Sequence, residues 1–153
     1  MRNRGVIEIE TYLRDSGGKF VQVDACTARP ADADYVEGAV RIAIHGVEII
    51  GISEWDYVDQ LWAYVASMVP QLSAAGYAST YFPDQPIELS FRQQGSQVLV
   101  SVKSGNDVKR VSVSTSDFLA ALRGAGSAFF GKMSELLPEN ADSYSESRRE
   151  LLS

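Results

Sequence analysis

Residues 47–61, VEIIGISEWDYVDQL, can be laid over residues 108–122, VKRVSVSTSDFLAAL, at a shift of 61 positions. Ser53 falls on Ser114, Asp56 on Asp117, Tyr57 on Phe118 and Leu61 on Leu122, while the turn His45-Gly46 falls on Asn106-Asp107. Each copy reads strand, tight turn, strand, capped helix. Identities are few, so duplication and convergence on a common hairpin–cap–helix solution both account for the match. Either way the fold class is α+β. The expected architecture is one mostly antiparallel sheet of six to seven strands with two long helices on one face, a possible pair of βββα units.

Alternation supplies the strands. In VIEIETYL (6–13), Ile7, Ile9, Thr11 and Leu13 share one face, opposite Glu8, Glu10 and Tyr12. Asp15-Ser16-Gly17-Gly18 turns the chain into KFVQVDAC (19–26). EGAVRIAI (37–44) and VEIIGI (47–52) form a hairpin across His45-Gly46, with Val40, Ile42 and Ile44 inward. IELSFR (87–92), QVLVSVK (97–103) and VKRVSV (108–113) complete seven strands. ARPADADY (28–35) reads as a polar loop, and 77–86 as an aromatic loop.

The first helix is expected to open at Ser53, with Asp56 completing a capping-box variant. Trp55, Val58, Leu61, Trp62, Val65, Val69 and Leu72 give it one wide apolar stripe. Pro70 should kink or end it near 66–69, and Gly76 marks the exit. The second helix runs from about Thr115 to Leu137 and stops at Pro138. Its two interior glycines, Gly124 and Gly126, each cost on the order of 1 kcal/mol against alanine. Such a cost implies close approach of a neighbour, the first helix or the sheet. Residues 1–138 thus form one domain, and 139–153 a polar tail that can end in a short docked helix through Leu151 and Leu152.

A chain of 153 residues buries a core without staples, and Cys26, the only cysteine, excludes an intramolecular disulfide. The N-terminal stretch has no apolar h-region and no run is long enough to span a membrane, so the expected location is cytoplasmic. Net charge is −6, and the excess lies between Asp24 and Asp59, where eight acids face only Arg29 and Arg41. Such a surface repels nucleic acid and anionic lipid and steers basic partners; mild acidity for solubility is the plainer account.

Catalytic signatures are scarce. His45, the single histidine, sits at a hairpin tip, which offers no triad geometry, and histidine-rich metal sites are excluded by count. Asp32, Asp34 and Glu37 lack calcium-loop spacing, and Gly124-x-Gly126 lies mid-helix rather than after a strand. No cofactor is expected. The segment 76–86 carries Tyr77, Tyr81 and Phe82 beside two prolines, and aromatic side chains on a stiffened segment serve as interface anchors. Inward folding of Tyr81 and Phe82 to close the core is the plainer account.

The layout of SEWDYVDQLW (53–62), YFPDQPIELSFR (81–92) and FLAAL…FFGKMSELLP (118–138) resembles small bacterial proteins of the immunity type, which neutralise toxins of polymorphic toxin systems. The resemblance implies a non-catalytic binding protein that occludes a basic protein partner. On that reading Asp32, Asp34, Glu37, Glu54 and Asp59 steer and pair with partner lysines and arginines, around an aromatic anchor of Tyr77 or Tyr81. Two other classes stay open. One is a small-molecule-binding protein or enzyme, with a pocket between sheet and helices lined by Trp55, Trp62 and a buried carboxylate. The other is a homo-oligomeric structural protein.

Overall fold

A computed structural model describes residues 6–153. Its nine strands form two antiparallel sheets rather than one, and three helices pack against them. The first sheet contains β1 (Ile7–Arg14), β2 (Phe20–Gln22), β3 (Glu37–Ile44), β4 (Val47–Ile50) and β5 (Asp56–Tyr57). Its order is β2-β1-β3-β4, with β5 also on β3. The second is a meander of β6 (Tyr77–Tyr81), β7 (Ile87–Gln94), β8 (Gln97–Ser104) and β9 (Asp107–Ser114). The α+β class with antiparallel sheets is as expected. Each half does contain three neighbouring strands followed by a helix: β1, β3, β4 and α1 (Val58–Ala75), then β7, β8, β9 and α2 (Thr115–Leu136).

The expected cap at Ser114 is present, its hydroxyl accepting the Asp117 amide at 3.3 Å. The equivalent at Ser53 is not. There the chain makes a short 3-10 turn at Ile52–Glu54, then pairs Asp56 and Tyr57 with Gly38 and Glu37, and enters α1 only at Val58. The acceptors that would cap a helix are used elsewhere. Glu54 takes the Gly51 amide at 2.7 Å, and Asp56 takes the Tyr57 amide at 2.7 Å. The hairpins of the two halves therefore superpose by sequence, but the helix starts do not.

Two further expectations change. Residues 77–81 are the edge strand β6, because Gly76 in the left-handed region (φ 73°) caps α1 and redirects the chain at once. Pro70 lies inside α1 without ending it, since Met68, Val69 and Leu72 on either side are buried in the core. His45 (φ 52°) and Gly46 (φ 79°) form the β3–β4 turn as expected.

One continuous core joins both sheets and all helices. α1 packs on β3, β6 and β7 and α2 on β1, β8 and β9, so each long helix touches both sheets. The tail forms α3 (Ala141–Leu152), docked between α1 and α2 through buried Tyr144 and Leu151, while Leu152 points to solvent. Trp62 and Phe129 stack at 6.0 Å and Phe130 packs 6.1 Å from Tyr144. Gly126 explains its own presence: a Cβ there would lie 2.4 Å from Leu151 Cδ2 and 2.9 Å from Trp62 Cζ3. The close approach is by side chains of α3 and α1, not by a backbone. Gly124 faces open space.

Candidate functional site

The helices fill the space behind the sheets, and two cavities open on the outer surface. The first is a cleft of about 280 Å³ lined by Glu37, Ser53, Trp55, Asp56, Tyr57, Asp84 and Gln85. Three distant segments meet there, tied by one buried carboxylate. Asp56 is 4% exposed and accepts the Asp84 amide at 3.2 Å and the Gln85 side-chain amide at 3.0 Å. Gln85 also donates to the Trp55 carbonyl at 2.7 Å. The β5 strand and the turn at 82–86 are thereby fixed to each other, and Phe82 anchors that turn in the core.

The rim is aromatic and acidic. Tyr35, 56% exposed, packs on Tyr57 at 5.2 Å, and Phe20 lies 6.2 Å from Trp55. Burial raises the Tyr57 phenol above its ordinary range, and Asp84 and Glu37 push the same way, as expected beside a cluster of negative charge. Arg14 shows how this surface holds a cation. Its guanidinium bonds Glu37 at 2.9 Å and lies 4.7 Å from the centre of the Trp55 ring.

The acids expected to form one face are dispersed among separate tasks. Glu37 lines the cleft and pairs with Arg14, and Glu54 caps its own turn. Asp59 is turned into the α1–α3 interface, where it accepts the Tyr144 hydroxyl at 2.8 Å; desolvation there raises its pKa against that bond. Asp34 and Asp32 stay in the exposed loop before β3, with Asp32 accepting the Asp34 amide at 2.9 Å. Glu48 joins Glu8 and Glu10 around Arg41, at 2.7, 3.1 and 3.1 Å. Trp62 is in the core, donating to Thr11 at 3.1 Å, so the pocket expected from Trp55 and Trp62 together does not form. Among the described residues no cluster suited to a metal ion occurs, and no helix is long and apolar enough to cross a membrane. Cys26 is half-buried and burial raises its thiol pKa.

Tyr77 and Tyr81 lie elsewhere, on the outer face of the second sheet, 38% and 61% exposed. Strand register places the outward side chains there in three rows. Tyr77, Arg92, Leu99 and Ser112 form one, and Tyr81, Glu88, Lys103 and Val108 another. Between them run Ser79, Ser90, Ser101 and Arg110. Ser90 and Ser101 floor a trough of about 390 Å³ across the strands. Arg92 stands 4.5 Å over the Tyr77 ring. None of Arg92, Lys103 and Arg110 joins an ion pair among the described residues.

Sequence reasoning placed Trp55 in a pocket with a buried carboxylate but missed Tyr57, Asp84 and Gln85 as surface groups. The available signal was Pro83-Asp84-Gln85-Pro86, a polar pair bracketed by prolines. No protein-family model, no curated protein and no solved structure matches this chain.

Proposed function

We propose that this is a non-catalytic protein-interaction module of the immunity type, which occludes a basic partner by accepting one of its arginine or lysine side chains in the cleft. The observation that carries the reading is the cleft's composition, with Glu37 and Asp84 beside the rings of Trp55 and Tyr57. Carboxylates and aromatic faces together favour a cation over any other side chain. Arg14 already occupies the neighbouring half of this surface in that manner. Two of the segments that carry the resemblance, 53–62 and 81–92, meet at this cleft. The binding face is therefore the cleft and its rim, with Glu37 as its member from the acidic first half and with Asp32 and Asp34 as outlying charges that steer approach.

The test uses the protein and a basic protein recovered with it by pull-down from its native host, titrated by calorimetry and stopped-flow. Asp84→Lys should weaken binding at least tenfold, and the parent's on-rate should fall with added salt, as steered association does. An unchanged affinity in Asp84→Lys and Tyr57→Ala, both folded, would remove the cleft from the interface. Absence of binding by the parent would remove the reading itself.

A further inference from the structure

The two outer sheet faces carry opposite charge. On the first sheet Glu8, Glu10 and Glu48 surround Arg41, three acids against one base, a local charge of −2. On the second, Arg92, Lys103 and Arg110 stand with Glu88, three bases against one acid, a local charge of +2. Arg14 pairs with Glu37 and Arg29 with Glu139, as Arg41 does with its three glutamates. The trio on the second sheet joins no ion pair among the described residues, and it borders a serine-floored trough with room for side chains from outside.

We propose that the outer face of the second sheet docks the outer face of the first sheet of another copy of this chain. Glutamates of the first face enter the trough of the second, where Arg92, Lys103 and Arg110 complete the pairing that Arg41 alone leaves short by two charges. Two twisted antiparallel faces stack at about 10 Å, which long glutamate, lysine and arginine side chains can bridge. The contact is heterologous, since different faces meet, so a docked pair leaves one of each face exposed and growth continues past the dimer, into a ring if the rotation between copies closes and a filament if it does not. Its area sets its strength. With strands about 4.8 Å apart, the patch is on the order of 400 Å² per copy, about 800 Å² in total and below the roughly 1,200 Å² of a stable interface. Association is therefore weak and visible only in concentrated solution.

The experiment is sedimentation equilibrium over a concentration series into the hundreds of micromolar, on the full chain and two neutralised variants. Lys103→Ser/Arg110→Ser alters one face and Glu8→Gln/Glu48→Gln the other, and all four side chains are partly or fully exposed. The parent should grow in mass with concentration and pass beyond the dimer. Each variant alone should associate at least tenfold more weakly. An equimolar mixture of the two should form a heterodimer and stop, because only one intact pair of faces remains. A monomeric parent would overturn the proposal. So would variants that associate like the parent, or a mixture that stays monomeric while its components are folded. Matching thermal midpoints establish folding, and Arg110→Ser with Glu48→Gln serve as the milder pair. These variants leave Trp55, Tyr57 and Asp84 untouched, so failure here is separable from failure of the cleft reading.

Discussion

The two glycines of α2 should respond to the same substitution with opposite sign. Gly124→Ala adds a methyl to open space in an exposed turn of the helix, so only the helix propensity changes, a stabilisation of about 0.5–1 kcal/mol. Gly126→Ala gains the same amount but pushes a Cβ to 2.4 Å from Leu151 Cδ2 and 2.9 Å from Trp62 Cζ3. Leu151 is fully buried, and Trp62 is held by its hydrogen bond to Thr11 and its stack on Phe129. Neither can give way without disturbing its neighbours, and overpacking of this kind costs about 1–3 kcal/mol. The net is a loss of about 0–2.5 kcal/mol, and the gap between the two variants about 1–3 kcal/mol. Urea unfolding at constant pH reads it; with a slope of roughly 1–3 kcal/mol per molar, the midpoints should separate by about 0.3–3 M. A double-mutant cycle sharpens the test. Leu151→Ala alone should cost about 2–5 kcal/mol, but with Gly126→Ala the new methyl fills part of the cavity, so the pair should be less than additive by at least about 0.5 kcal/mol. Equal stabilisation by both glycine substitutions, or strict additivity with Leu151→Ala, would refute the close approach of α3.

Two other outcomes test the caps and the buried carboxylate. Ser114→Ala should cost about 0.5–2 kcal/mol in the same melts, whereas Ser53→Ala, at a position that caps no helix, should shift the midpoint within error. Asp59 has its carboxyl raised by burial, so the folded chain holds that proton more tightly than the unfolded one. The group's contribution is present below its ordinary pKa of about 4 and lost as pH rises through the folded value. Asp59→Asn should therefore gain on the parent between pH 3.5 and pH 7, and a stability difference constant over that range would remove Asp59 as the linked group.

What was legible followed from local rules acting alone. The alternation of 6–13, 37–44, 87–92 and 97–103 identified strands because one face of each is buried against a helix. The cap at Ser114 was legible because no other donor competes for its hydroxyl beyond the adjacent Ser116. The same pattern at Ser53 misled, since Asp56 binds amides 28 and 29 residues away. A capping box and a long-range tie look identical in one dimension. The strand at 77–81 was hidden by its brevity and by the neighbouring prolines, although Tyr-Ala-Ser-Thr-Tyr alternates and Ala78 is its one buried residue. The tail's helix was readable in outline, but its anchors were not both correct: Leu151 and Tyr144 are buried, and Leu152 is exposed.

The charge reading failed for a related reason. Counting acids along residues 24–59 sums groups that the fold sends to unrelated places: Asp56 and Asp59 to internal ties, Glu48 to Arg41, Glu37 to the cleft. Surface charge on a sheet is organised by strand parity and register, which cut across linear blocks. Glu8 and Glu10 fall outside the counted window yet join Glu48 through the pairing of β1 and β4 with β3. The second half, near neutral by count, gathers Arg92, Lys103 and Arg110 on one face because even-numbered residues of β7 and β9 and odd-numbered residues of β8 point the same way. A balanced total thus conceals a polarised molecule. For an antiparallel protein the informative charge sum is taken over one face of one sheet, and that sum requires the register.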